Sequence, residues 1–247
     1  MHFLILTVFP QVIKEYCNYG IVKQARKKEL MDILPIDLRN YAHRGKVDDE
    51  AYGGLPGMVL KPEPIFRAYE HIANRYGKPY TIIPQPWGKR IDQETFHRLK
   101  NKENILIVCG RYEGIDERVS ALADEELSLG DFVLSGGELL ALVLVDGIAR
   151  LLPGAVGEPE SLRADSFGRW LGYPVYTRPK EFGGLKVPDV LLSGNHRFIE
   201  LWKLWHSIER TIVYRPDLIP KDLTPLEKEI VDSIRNGSKF EDWIKRK

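Results

Sequence analysis

The sequence predicts an α/β fold built on a parallel sheet, followed by a small all-helical C-terminal unit. Three observations carry this. Over the first two-thirds of the 247 residues, strand-like apolar runs alternate with helical periodicity, as in successive βαβ units. Within residues 105–137, two apolar strand patterns run straight into glycines: Ile105–Cys109 into Gly110 and Gly114, and a stretch near Phe132–Leu134 into Gly136 and Gly137. After Gly157 the alternation stops and helical periodicity takes over.

In chain order, His2–Phe9 is an apolar strand pattern, and Pro10 opens a helical stretch from Gln11. Met31–Leu38 reads as a strand, Pro62–Tyr76 as a helix and Tyr80–Ile83 as a strand. Asp92–Lys100 reads as a helix with Asp92 as N-cap, and Glu138–Leu152 as a helix broken by Pro153-Gly154. Residues 158–187 hold glycines and prolines with little periodicity, as a linker or functional loop does. Asn195–Tyr214 and Thr224–Asn236 are helical, with Asp189, Asn195 and Thr224 as candidate caps. The expected organisation is an α/β domain over 1–157, an interdomain linker over 158–177 and a helical domain over 178–247.

The composition, 43% hydrophobic and 29% charged, is ordinary for a globular chain. No apolar run reaches membrane-spanning length, and Met1-His2-Phe3 lacks the basic start of a secretory signal, so no membrane association and a cytoplasmic location are expected. Cys17 and Cys109, with no paired spacing, fit a reducing compartment. A net charge of +1 argues against wholesale coating of nucleic acid but leaves room for a local basic patch.

Several standard motifs fail on spacing. Gly-x-Gly-x-x-Gly and Gly-x-x-x-x-Gly-Lys are both absent, which removes the usual dinucleotide and phosphate-loop signatures. Ser135 is no hydrolase elbow, because Val133 stands where the first glycine must be. No His-Glu-x-x-His or paired-cysteine spacing points to a metal, and none is expected. Gly54-Leu55-Pro56-Gly57 matches a bare GxxG RNA clamp, for which a plain turn is the simpler reading.

Glycine at a strand end permits positive φ and lets backbone approach a ligand closely. Two such turns, about two dozen residues apart, suit neighbouring parallel strands that share one pocket. The plain structural readings are a turn leading into an acidic helix start after Gly110, and a helix N-terminus capped by Ser135.

The strings Gly110-Arg111-Tyr112-Glu113-Gly114-Ile115-Asp116-Glu117-Arg118 and Ser128-Leu129-Gly130-Asp131-Phe132-Val133-Leu134-Ser135-Gly136-Gly137-Glu138 are specific beyond these readings. So are Asp48-Asp49 through Tyr52-Gly53-Gly54, Arg150-Leu151-Leu152-Pro153-Gly154, Asp165-Ser166-Phe167, Tyr176-Thr177-Arg178-Pro179 and Leu191-Leu192-Ser193-Gly194-Asn195-His196. In these ordered blocks, from Phe9-Pro10 to Arg215-Pro216-Asp217-Leu218, the chain resembles the bacterial tRNA (guanine-N1)-methyltransferase family of the SPOUT superfamily.

The resemblance implies a SPOUT fold whose α/β domain threads a deep trefoil knot, a rare exception among folds. It implies S-adenosyl-L-methionine as cofactor, tRNA as partner and a homodimer with active sites at the subunit interface. By match of motif, one cofactor wall is Ile82, Ile83, Pro84 and Gln85, and a second is Gly110, Tyr112, Glu113 and Gly114. The third runs through Ser128, Leu129, Gly130, Asp131, Phe132, Val133, Leu134, Gly136 and Gly137. The reaction implied is methylation of N1 of the guanine 3′ of the anticodon, position 37. That proton is weakly acidic, so a general base is needed, and charge developing towards O6 needs a cation. Asp165 matches the family's base and Arg150 its O6-stabilising residue; read plainly, they are a loop carboxylate and a helix C-terminal cation.

For RNA, the resemblance and the basic character of the C-terminal unit point to Ser166, His196, Arg197, Lys203 and Arg215, with Arg210 nearby. Trp202 and Trp205 either stack on bases or fill the core of an amphipathic helix. Lys245-Arg246-Lys247 reads as a solvated tail. The chain departs from the family at Leu55, in the bulky Pro84-Gln85-Pro86-Trp87-Gly88 segment, and at Trp170-Leu171-Gly172-Tyr173. The rival readings are a Rossmann enzyme using NAD or ATP, and a non-catalytic RNA-binding protein.

Overall fold

The computed structural model describes residues 1–54, 56–156 and 165–246, so Leu55 and most of the first half of the expected linker lie outside the described residues. The chain divides into two compact units, Met1–Gly157 and Glu158–Lys247. Among the described residues no helix is long and apolar enough to cross a membrane.

The first unit is organised by β1 (His2–Thr7) and β6 (Asn104–Val108), adjacent in a five-stranded parallel sheet. With β2 (Asp32–Asp37), β5 (Tyr80–Arg90) and β7 (Glu125–Ser128) the order is β2-β1-β6-β5-β7. The apolar runs of β1 and β6 do not alternate because both faces are covered. Phe3, Ile5, Ile105 and Ile107 enter one core with α1 (Pro10–Tyr16), α2 (Gly20–Lys27), α4 (Gln93–Leu99) and α5 (Glu138–Leu151). Leu4, Leu6, Leu106 and Val108 enter the other, with α3 (Pro62–Tyr76). Asp92 caps α4, its side chain accepting from Thr95 N at 2.8 Å in a capping box. Between β2 and α3, β3 (Asp48–Glu50) and β4 (Met58–Leu60) form an antiparallel hairpin.

Two expectations need correction. The strand expected near Phe132–Leu134 lies earlier, at Glu125–Ser128, and the apolar triplet is exposed loop. A polar strand fits there because its acids have partners: Arg98 reaches both oxygens of Glu125 (2.7 and 2.8 Å), and Thr81 N donates to the adjoining Asp124 (2.8 Å). Nor are the two glycine-ended strands neighbours, since β5 lies between β6 and β7.

The second unit is not all-helical, contrary to expectation: it holds a short hairpin, β8 (Glu181–Phe182) with β9 (Leu185–Lys186), then α6 (Asp189–Leu192), α7 (His196–Tyr214), α8 (Pro225–Arg235) and α9 (Phe240–Ile244). Asn195 caps α7 through Phe198 N, and Thr224 caps α8 in a box with Glu227. Asp189 is not a cap; it sits inside the first turn of α6, after Pro188. Trp202 and Trp205 are buried with Trp170, Ile230, Phe240 and Trp243, which decides for the core reading over base stacking. Glu227 is buried, and the guanidinium of Arg169 holds its carboxyl down at about 2.

Two outcomes follow. Glu227, depressed from 4.5 to about 2, stabilises the fold fully above pH 4.5 and loses that contribution as pH falls towards 2. Acid titration of the far-ultraviolet signal therefore shows a limb that Glu227→Gln removes. A Cβ at Gly147 of α5 would sit 2.7 Å from the Phe96 ring. Helix propensity favours alanine by about 1 kcal/mol, but overpacking costs about 1–3 kcal/mol. Gly147→Ala thus lowers the thermal midpoint, and Phe96→Leu in the same chain restores it.

Candidate active site

A cavity of about 340 Å³ opens in the first unit where three loops converge. The first is a bulge in β5. Both Pro84 and Lys89 pair with Leu127, so Gln85–Gly88 stand out of the ladder. Gly88 permits this, because a Cβ there would lie 2.6 Å from backbone atoms of Glu126 and Leu127. Trp87 donates Nε1–H to Glu126 (2.8 Å), which fixes the bulge outward.

The second loop, 110–116, rests on β4. Glu113 N donates to Met58 O, Leu60 N to Gly114 O and Asp116 N to Leu60 O, each at 3.0 Å. Gly57, at φ +101°, allows the approach; a Cβ there would lie 2.6 Å from Glu113 Cγ. The third loop, 129–137, leaves β7 with Ser128 Oγ accepting from Gly130 N (3.2 Å) and returns to the second: Gly137 N donates to Gly110 O at 3.0 Å.

A buried polar cluster clips these two turns together. Glu138 opens α5 and is 2% exposed. Its carboxylate pairs with Arg111 (Nη2–Oε2 3.0 Å) and accepts from Thr7 Oγ1 (2.6 Å). Arg111 also donates to Ser135 O (3.2 Å) and lies over the Phe9 ring, 4.6 Å from its centroid. Ser135 is not the helix cap; Gly137 occupies that position, and a Cβ at Gly136 would run into Arg111 Nε. Burial, with Glu138 nearby, pushes the Cys109 thiol well up.

Of the residues named from the sequence for the three walls, Pro84, Gln85, Gly110, Tyr112, Glu113 and Gly114 line the cavity. So do Ser128, Leu129, Gly130, Phe132, Val133, Leu134, Gly136 and Gly137. Ile82, Ile83 and Asp131 do not. Ile82 and Ile83 are buried, one in each core, because a strand directs successive side chains to opposite faces. Asp131 pairs with Arg90 at 2.6 Å. Pro86 and Trp87, the bulky departure from the family pattern, line it too, and Arg111, Ile115, Leu127, Ser135 and Leu140 line it without having been singled out for it. One signal was present for Arg111: a lone Glu138 opening the apolar helix Glu138–Leu151 demands a buried partner. Among the described residues, no group of three acidic, histidine or cysteine side chains is arranged to hold a metal ion.

The model of the family described as tRNA (guanine-1)-methyltransferase TrmD matches residues 1–221. The chain belongs to this family. It is 58% identical to the tRNA (guanine-N(1)-)-methyltransferase of Aquifex aeolicus, over 99% of this chain and 96% of that protein. The enzyme of the same name from Persephonella marina is 53% identical, over 100% and 99%. The crystal structure of the tRNA (m1G37) methyltransferase from Aquifex aeolicus superposes with a TM-score of 0.75 at 56% identity, covering 92% of this chain and 99% of that one. Membership of the tRNA (guanine-1)-methyltransferase family makes the chain an enzyme, and sets aside both the Rossmann and the non-catalytic RNA-binding readings.

The remaining residues singled out from the sequence are distributed between the units. Arg150 ends α5 in the first unit, and it is exposed. In the second unit Asp165 and Ser166 are exposed, and Ser166 Oγ accepts from Gly172 N (2.8 Å). His196 and Arg197 open α7, exposed; Lys203 pairs with Glu200 and Arg215 with Asp217, each at 2.7 Å.

The clip yields a test in which the sign decides. Removing one partner of a buried pair leaves a charge uncompensated and costs about 3–5 kcal/mol, whereas an apolar replacement of both is often neutral. Arg111→Met should therefore lower the thermal midpoint more than Arg111→Met with Glu138→Leu. Equal or larger loss in the double variant would contradict a coupled clip.

Proposed function

We propose that this chain transfers the methyl group of S-adenosyl-L-methionine to N1 of the guanine 3′-adjacent to the anticodon, position 37 of tRNA. The observation that carries this reading is the cavity between the clipped glycine turns. Its walls offer glycine backbone at Gly110, Gly130, Gly136 and Gly137 and apolar surface from Leu129, Phe132 and Leu134. A flat heteroaromatic group with few polar edges suits such a lining. Side chains at Gly130 or Gly136 would meet Phe132 or Arg111, so the cradle needs glycine. When bound there, the cofactor supplies a methyl group activated by its sulfonium.

The chain's own groups then handle guanine. The Asp165 carboxylate accepts the N1 proton as general base, and the Arg150 guanidinium holds charge developing on O6. Ser166, His196, Arg197, Lys203 and Arg215 grip the tRNA, whose phosphates favour cations. We assign the walls of the cavity to a SPOUT trefoil knot and the work of the enzyme to the cytoplasm, where its substrate is.

The functional unit in this reading is a homodimer, with Asp165 of the partner subunit completing each site. Exposed apolar side chains on two packed helices support it: Val12 and Tyr16 of α1, and Leu139 and Val143 of α5, with Tyr16 Oη donating to Asp146 of α5 at 2.9 Å. Such a patch on an enzyme surface marks an interface.

Asp165→Ala should lower methyl transfer to an anticodon stem-loop by about 10²–10⁴-fold, the usual worth of a general base. Calorimetric titration should find its affinity for S-adenosylhomocysteine unchanged. Turnover near wild type would mean that another group is the base. Replacing the target guanine in the stem-loop should end methylation, while changes to the base before it rank specificity.

A further inference from the structure

We propose that Glu227 is a positioning residue for methyl transfer, holding the 165–172 segment through Arg169 and Trp170 so that Asp165 is presented from a fixed strap. This rests on the reading of Asp165 as the base.

Residues 165–172, Asp-Ser-Phe-Gly-Arg-Trp-Leu-Gly, form no helix or strand, and residues 165–169 are exposed. Phe167 even holds a left-handed φ of +70°, a conformation that persists only where surroundings impose it. The segment is tied down within the second unit itself. Glu227 Oε1 accepts from Arg169 Nε (2.6 Å) and Trp170 Nε1 (2.9 Å). Glu227 Oε2 accepts from Arg169 Nη2 (2.8 Å) and Thr224 N (2.8 Å). Arg169 Nη2 donates further to Asp222 O (2.6 Å). Beyond the anchor, Leu171 N donates to Thr211 Oγ1 (3.0 Å) and Arg210 Nη1 to Gly172 O (3.0 Å). Gly172 N closes the strap onto Ser166 Oγ at 2.8 Å.

Helix capping alone does not explain this glutamate. A capping box uses one oxygen, here Oε2 on Thr224 N, and it leaves the other facing water. In this chain Oε1 is given wholly to the strap, and the Glu227 side chain is 7% exposed, with four donors on two oxygens. Asp165 stands four residues before Arg169, so the anchor restricts it to within about 14 Å of chain reach. A base whose tether is ordered on folding need not be ordered during the reaction, and misplacement by about 1 Å costs up to 10²-fold in rate.

The test compares Glu227→Ala, Glu227→Gln and Val231→Ala. The last removes core packing from the same helix and leaves every strap donor and acceptor in place. Single-turnover transfer at saturating tRNA and S-adenosylmethionine should fall about 10- to 100-fold in Glu227→Ala, and less in Glu227→Gln, which keeps the shape. The KM for tRNA and the Kd for S-adenosylhomocysteine should stay within about twofold, the split expected of an interaction that matters in the transition state. In an Asp165→Ala background, Glu227→Ala should add no further loss. The proposal is overturned if Glu227→Ala transfers within about twofold of wild type, or slows only as much as Val231→Ala at equal loss of thermal midpoint. Failure of the base assignment is separable: it appears as undiminished transfer by Asp165→Ala alone. The strap is then judged by hydrogen exchange at the Leu171 and Gly172 amides, where unchanged protection in Glu227→Ala overturns it and lost protection upholds it.

Discussion

The pair between Arg111 and Glu138 is the contact on which the first unit's cavity depends. A carboxylate 2% exposed at the head of an apolar helix is costly unless compensated on every side. The compensation comes from three places far apart in sequence: Thr7 at the end of β1, Arg111 after β6, and the N-terminus of α5 itself, whose dipole favours an anion. Satisfying one buried group therefore brings together a strand end, a turn and a helix start. The backbone bond from Gly137 to Gly110 then has little freedom to form otherwise. The glycines flanking it are the chain's answer to a crowded crossing, where Arg111 fills the space that a side chain at Gly136 would need.

This explains what the sequence disclosed and what it hid. Runs such as Phe3–Leu6 and Ile105–Val108 announce strands covered on both faces, and Asp92, Asn195 and Thr224 announce helix starts, because those signals act over a few neighbouring residues. β7 was illegible for the opposite reason. Glu125 and Glu126 look like loop residues until Arg98 and Trp87, brought by other elements, are seen to receive them. The bulge at Gln85–Gly88 also depends on a register set by the neighbouring strand, which no local pattern encodes.

The site was legible in a similarly divided way. Glycines and short apolar residues of the cavity wall stand out because few other roles require them together. Ile82 and Ile83 are buried in the two cores, and the strand comes to line the cavity where its ladder breaks, from Pro84 on. Arg111 gives no local signal, since its importance lies in what it meets: Glu138, Ser135 and Phe9. Glu227 was hidden more deeply, as it reads as the third letter of a capping box.

Cradle and strap solve two different physical problems. A cavity walled by backbone must be shaped once, and a buried ion pair with its hydrogen bonds does this by fixing loops against a rigid sheet. The base proposed above belongs to a different setting: Asp165 lies on exposed chain, whose order has to come from hydrogen bonds rather than burial. Arg169 reconciles the two demands, because its planar guanidinium can span from an exposed backbone to a buried carboxylate and a loop carbonyl at once. Lysine, with a single charge centre, could not hold Glu227 and Asp222 O in the same geometry. The indole of Trp170 seals the arrangement by burying itself beside Glu227 while donating to it, so the strap's fixed end is part of the second unit's core. An exposed stretch and a buried anchor are thereby joined within only a few residues of chain, with Asp165 on the exposed side and Trp170 on the buried one.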